Sequence, residues 1–181
     1  GSSALILGAG TVGLLWTQLL RTSPAGRIAQ SELVGFRRQK ARRLGADVVI
    51  DPAAGDLAEA VRGELGDGAD FIVDATGSPE AVEQALELLA PGGTFLIFGV
   101  CPAGSRVSFD PHELYRKEAR VVGSKMPPGT LDRSARLIES GRIACDEIVT
   151  TTVALGQAAE SIAGFNTHRD RHVKIAVDPW K

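Results

Sequence analysis

The stretch that most constrains this chain is ALILGAGTVGLL, residues 4–15. A four-residue apolar run, Ala4 to Leu7, goes straight into Gly8-x-Gly10-x-x-Gly13. Such a run reads as a strand buried on both faces. The residues after it, Val12 to Arg21, read as a helix with Leu15, Leu19 and Leu20 near one face. A strand that turns through glycines directly into a helix sends the chain back across its own sheet. The next strand then lies parallel to the first, reached by a right-handed crossover.

The rest of the chain repeats that alternation. Strand-like runs at 27–32, 46–51, 70–76, 94–100 and 119–124 are separated by helix-like segments. Asp56, with Glu59 three residues on, marks the start of one helix. Ser78-Pro79-Glu80 and Asp110-Pro111-His112-Glu113 each place a capping residue before a proline. The helix begun at Ser78 is expected to run to about Ala90, where Pro91-Gly92-Gly93 breaks it. The fold class is α/β: a Rossmann-type, doubly wound, six-stranded parallel sheet with a C-terminal strand–helix–strand tail. Residues 1–145 hold the sheet. Residues 146–181 hold the tail, with strand-like IVTTTVAL, helix-like GQAAESIAGF and strand-like VKIAV. Ligands of such sheets bind at the carboxyl ends of the strands.

The loop itself suits a pyrophosphate. Gly8 permits the tight turn, Gly10 removes a side chain from the approach, and Gly13 lets the helix lie close to the strand. Amides at the helix start, with the positive end of its dipole, favour phosphate charge. A partner acid belongs about 20 residues on, at the end of the second strand. Glu32 stands nineteen residues after Gly13. A carboxylate there accepts hydrogen bonds from ribose hydroxyls and repels a 2′-phosphate, which points to NAD over NADP. The basic run from Arg37 to Arg43 pulls the other way, and reads either as a phosphate-binding set or as a solvated helix face. Leu33 occupies the position directly after the acid.

A net charge of −2 gives no footprint for nucleic acid or an anionic membrane. No apolar run reaches the roughly 18 residues of a membrane span. Cys101 and Cys145 stand 44 positions apart with no CxxC pair, so neither a disulfide framework nor a cysteine-rich zinc site is suggested. A reducing, cytoplasmic setting is expected.

GAGTVGLL, ARRLGADVVID, DFIVDATGS, LLAPGGTFLIFGV, FDPHELYRKEARVVGS and LIESGRI follow one another in order. Together they resemble the medium-chain dehydrogenase/reductase superfamily. The likeness is to the cofactor-binding domain of zinc-dependent alcohol and polyol dehydrogenases of the sorbitol or threonine type. The resemblance implies that Thr11 and Val12 lie against the pyrophosphate, Glu32 on the ribose and Arg37 beside the adenosine. It implies Ala75, Thr76 and Gly77 on the adenosine side, and Phe98, Gly99 and Val100 beside the nicotinamide. Ser124 and Lys125 match a segment contacting the carboxamide, and Lys174 a basic residue near the pyrophosphate. Thr76 also reads as a helix cap, and Lys174 as a solvent-facing strand end.

The resemblance further implies an amino-terminal catalytic domain that carries zinc ligands and whose sheet the tail completes. Nothing precedes Gly1 in this sequence, so the chain is expected to be a fragment, or a short product, without catalytic ligands. His168 and His172 read as surface residues rather than metal ligands, and no zinc site is expected in residues 1–181. The edge strand 119–124 implies a homodimer. Two other readings stay open: a non-catalytic nucleotide-binding or assembly module, and an S-adenosylmethionine-dependent methyltransferase domain. A methyltransferase normally reverses its last strand into a hairpin.

Overall fold

The computed structural model describes residues 1–125, 129–165 and 167–181. Six parallel strands form one sheet: β1 (Ala4–Leu7), β2 (Ile28–Ser31), β3 (Val48–Ile50), β4 (Ala69–Asp74), β5 (Leu89–Ile97) and β6 (Arg120–Gly123). Their order is β3-β2-β1-β4-β5-β6. Every pairing in this sheet is parallel, so the reversed strand of a methyltransferase is not there. The helices are α1 (Thr11–Arg21), α2 (Gly35–Arg43), α3 (Leu57–Leu65), α4 (Pro79–Glu87), α5 (Pro111–Lys117) and α6 (Leu131–Glu139). The chain winds outward from β1 to β3, then crosses to β4 and winds the other way. The carboxyl ends of β1 and β4, where the order reverses, form the mouth at which such sheets take ligands.

Alternate residues of β1 serve opposite faces, as the period of a strand dictates. Leu5 and Leu7 join Val61, Val82, Leu88 and Phe95 under α3 and α4. Ala4 and Ile6 join Ile28, Val73 and Trp16 under α1. Asp56, Ser78 and Asp110 cap α3, α4 and α5 through their side chains, as the sequence predicts. One boundary differs. Helix α4 ends at Glu87, and Leu89 already pairs with Ala69 of β4. Pro91-Gly92-Gly93 is therefore an irregularity within β5 rather than a break before it. The register shifts there, and the lost proline amide is tolerated because Pro91 is exposed.

The tail contains β7 (Val149–Ala154), α7 (Ala158–Gly164) and β8 (Lys174–Asp178), with β7 and β8 paired in parallel. It docks on the surface beside α1 and α2. Ile148 and Val173 are buried against Ala9, Leu14, Ala41 and Ala46. Glu147 joins Lys40 and Arg43, each at 2.7 Å. The Ala144 amide donates to Gln18 Oε1 at 2.6 Å. The outer face of the tail stays apolar and open: Val149, Leu155, Ile162, Val177 and Trp180 are exposed.

The hydrogen bond from Lys40 holds the Glu147 carboxyl below its ordinary pKa, against the opposing effect of burial and with help from the charges of Lys40 and Arg43. A depressed carboxyl stabilises the fold above the ordinary glutamate range, and that share is lost as pH falls through the lowered folded value. Glu147→Gln is therefore expected to lower stability at neutral pH and to flatten the acid limb of the stability profile. Urea midpoints measured from pH 7 down to pH 3 check this.

Candidate dinucleotide site

The turn from β1 into α1 is set by two glycines. Gly8 has φ +93°, a conformation that L side chains rarely adopt, and a Cβ there would lie 2.9 Å from Thr76 Cγ2. Gly13 faces the Gly8 carbonyl so closely that a Cβ would collide with its oxygen. That oxygen accepts from Gln30 Nε2 at 2.9 Å. Thr17 Oγ1 lies 2.6 Å from Gln30 Oε1 and 2.9 Å from the Gly13 carbonyl. Thr17 and Gln30 are fully buried. They tie α1, β1 and β2 together beneath the loop.

The start of α1 has no side-chain cap. Gly10 is its N-cap residue, and a Cβ on Gly10 would meet nothing within 4 Å. The first amides of a helix have no partner within it, so here they are presented to the mouth of the sheet. Glu32 stands beside them at the end of β2. Its Oε2 accepts from the Ala9 amide at 2.7 Å and its Oε1 from the Val34 amide at 2.9 Å. These two bonds fix the carboxylate between the loop and the start of α2.

Across the switch point, Asp74 ends β4 and is fully buried. Its Oδ1 accepts from the Thr76 amide at 2.8 Å and the Thr76 hydroxyl at 2.5 Å, and the Gly77 amide lies 3.2 Å from Oδ2. Its backbone carbonyl accepts from the amides of Phe98 and Gly99 at 3.2 and 2.7 Å. One residue thus shapes the turns after both β4 and β5. The Thr76 hydroxyl also receives the Ser78 amide at 3.0 Å, so this threonine works within the turn that leads to α4.

A cleft of about 570 Å³ gathers Gly8, Gly10, Glu32, Arg37, Ala75 and Thr76. Leu33, Gln84, Phe165 and Arg169 also line it. Thr11 and Lys174 line an adjoining recess that shares Phe165 with the cleft. Val12, Gly13, Gly77, Phe98, Gly99, Val100, Ser124 and Lys125 are not in the cleft wall. Gly13 and Gly77 act through backbone packing. Phe98 rests edge-on against Trp16, with ring centroids 5.5 Å apart, and Val100 is 90% exposed. Phe98, Gly99 and Val100 lie past the end of β5, and Ser124 and Lys125 past the end of β6.

Arg37 takes a role that sequence reasoning did not give it. Its Nε and Nη2 donate to the His172 carbonyl at 3.2 and 2.8 Å, so it latches the tail. Burial lowers its pKa, Glu32 raises it and Arg169 lowers it again. A guanidinium remains charged throughout the physiological range. Thr11 Oγ1 donates to the next carbonyl, that of Val173, at 3.3 Å.

A family model described as zinc-binding dehydrogenase matches residues 11–140. The chain belongs to the zinc-binding dehydrogenase family. Among its curated relatives, D-arabinitol dehydrogenase 1 of Uromyces fabae is 31% identical over 99% of this chain and 52% of its own length. L-threonine 3-dehydrogenase of Pyrococcus abyssi is 33% identical over 83% of this chain and 44% of its own. A crystal structure of a Sinorhizobium meliloti 1021 protein assigned to the zinc-binding dehydrogenases, bound to NADP, superposes with a TM-score of 0.90 at 34% identity. The match covers 99% of this chain and 53% of that one. This family member thus spans about half the length of the curated relatives it matches.

Asp74, Gln30 and Thr17 were not singled out from the sequence. Their one signal is a polar residue inside an apolar strand or on the inner face of a helix. Asp74→Ala leaves the amides of Thr76 and Gly77 without their acceptor, and is expected to destabilise the fold by roughly 2–4 kcal/mol. Asp74→Asn keeps an acceptor and loses less. Urea denaturation of the two variants gives the comparison.

Proposed function

We propose that this chain binds NAD(H) and is the cofactor-binding half of a zinc-type alcohol or polyol dehydrogenase that acts on a secondary alcohol. The observation that carries the reading is the uncapped start of α1 behind the glycine turn, with Glu32 fixed beside it. Among the described residues α3, α4 and α5 carry a side-chain cap, whereas α1, like α2, α6 and α7, carries none; the bare amides of α1 are the ones that follow the glycine turn, where a pyrophosphate is favoured. Glu32 receives the ribose hydroxyls, and Arg37, Ala75, Thr76 and Gly77 border the adenosine. Phe98, Gly99 and Val100 flank the nicotinamide, Ser124 and Lys125 meet its carboxamide, and Lys174 approaches the pyrophosphate with Thr11 and Val12. The bound dinucleotide supplies the hydride acceptor, and the residues of this chain hold and orient it. The NADP bound to the Sinorhizobium protein and the polyol and threonine activities of the relatives support this reading.

Among the described residues, no group of three or more His, Cys, Asp or Glu is placed to hold a metal ion. Zinc belongs to the catalytic half of the parent enzyme, and residues 146–181 complete the sheet of that half through their exposed apolar face. We place the protein in the cytoplasm, where Cys101 and Cys145 remain thiols. Among the described residues, no helix is long and apolar enough to cross a membrane.

Gly10→Asp separates binding from folding. The extended backbone of Gly10 suits an aspartate N-cap, which satisfies amides of α1 and complements its dipole. Stability is expected to hold or rise by up to about 1 kcal/mol. NADH affinity is expected to fall at least about a hundredfold, since the carboxylate occupies and repels the pyrophosphate position. Calorimetric titration beside thermal denaturation checks both halves. Unchanged NADH affinity in the variant would remove the loop from the site.

We also propose a homodimer through β6. All four of its residues are exposed, and one side of this β-branched edge strand is open. Val122→Lys places a charge on that edge and is expected to convert a dimer into a monomer in sedimentation equilibrium.

A further inference from the structure

Helix α1 begins at the phosphate cradle and carries Trp16 in its second turn, half-buried against the sheet beside Ile6 and Val73. The indole lies tilted on Phe71 of β4, with ring centroids 5.9 Å apart. It meets Phe98 at 5.5 Å with the two planes at 85°. Phe98 directly follows β5, at the carboxyl end of the sheet. We propose, on the cofactor reading above, that Trp16 is a positioning residue. It fixes the ring of Phe98 as the apolar wall on which the nicotinamide half of the dinucleotide rests.

The direction of the ligand follows from the topology. A dinucleotide lies across the crevice where the strand order reverses. Glu32 marks the adenosine end on the β2 side, so the opposite end reaches past β1 to the carboxyl ends of β4 and β5. Phe98 stands there with 37% of its surface exposed. A flat ring gains from such an aromatic face, and ligand sites are lined mainly by apolar and aromatic side chains.

The main chain at this point is already held. The Phe98 amide donates to the Asp74 carbonyl at 3.2 Å. Gly99 lies so close to the turn after β4 that a Cβ there would collide with the Gly77 amide nitrogen. These contacts fix the backbone and leave the Phe98 ring free to turn about its own side-chain bonds. The indole closes that freedom from one side, in the perpendicular arrangement that aromatic pairs favour. Trp16 is itself well anchored. It falls between Gly13, which rests on the Gly8 carbonyl, and Thr17, which bonds Gln30. One rigid helix thus presents amides to the pyrophosphate and, in its next turn, an indole to the nicotinamide wall. The spacing between the two halves of the site is built into α1.

The test titrates NADH and ADP-ribose separately into the full chain by calorimetry. ADP-ribose keeps the adenosine and the pyrophosphate and lacks the nicotinamide. Trp16→Leu keeps an apolar side chain on Phe71 and removes the aromatic partner of Phe98. It is expected to weaken NADH about fivefold and ADP-ribose less than about twofold. Trp16→Phe restores most of the NADH affinity. In a Phe98→Leu background, Trp16→Leu is expected to cost NADH little more, because the two side chains act as one unit. Equal weakening of both ligands by Trp16→Leu, unchanged NADH affinity in that variant, or full additivity with Phe98→Leu overturns the inference and leaves the cofactor reading standing. A wild-type chain that binds neither ligand overturns both. Where Trp16→Leu fails to fold, Phe98→Leu and Trp16→Phe decide. A loss confined to NADH in the first and near wild-type binding in the second support the inference, and unchanged NADH affinity in Phe98→Leu overturns it.

Discussion

The site depends on one close contact, the backbone of α1 at Gly13 against the carbonyl that ends β1 at Gly8. A helix with any side chain at that point would stand off from the strand. The contact buries the Gly8 carbonyl, and a buried carbonyl requires a donor. Gln30 provides it from β2, and Thr17 completes the set from α1. Two buried polar side chains thereby fix the height and tilt of α1 relative to the sheet. The bare amides behind Gly10 are aimed by that arrangement, and the space beside Gly10 is open, since a Cβ there would meet nothing within 4 Å. The geometry of a phosphate cradle on the surface is decided in the layer beneath it.

Asp74 plays the matching part on the other side of the switch point. Its carboxyl organises the turn after β4, and its carbonyl takes the two amides that follow β5. The turn after β4, which lines the cleft, and the turn after β5 are therefore one hydrogen-bonded unit. A glutamine under one turn and an aspartate under the other are unusual occupants for strands buried on both faces. Each is tolerated because every polar atom it buries is satisfied, and among the described residues no buried side-chain nitrogen or oxygen lacks a partner.

Much of this fold is legible in the sequence because local signals agree with the global plan. Apolar runs, glycine turns and capping residues before prolines all mark the same boundaries. The acid at the end of β2 is found by counting, because the length of α1 fixes where β2 must end. What the sequence hides is of a different kind. Gln30 sits in RIAQSE, where it looks like part of a polar, half-exposed strand, yet it is fully buried. Its role comes from a carbonyl 22 residues away, which no periodicity encodes. Pro91-Gly92-Gly93 carries the usual signs of a break, but pairing with β4 on both sides of it keeps β5 continuous. Tertiary pairing overrides a local breaker when the breaker falls at an exposed irregularity. The family resemblance implies Arg37 beside the adenosine. Its bond to His172 spans 135 residues and lies beyond any local reading.

That bond ties the cofactor cleft to the tail. Thr11 and Arg37 border the cradle, and both donate to successive carbonyls of the segment that carries Val173 into the core. The inner side of the tail is thus held by groups that line the cleft and its adjoining recess, while Val149, Leu155, Ile162, Val177 and Trp180 of the tail are exposed. Free energy passed between two sites is reciprocal. A ligand that draws Arg37 or Thr11 toward itself changes the hold on residues 172 and 173. A partner that settles the outer face of the tail changes the donors left for the ligand. Residues 146–181 are connected to the sheet domain beside the cleft, where Thr11 and Arg37 bond the carbonyls of Val173 and His172.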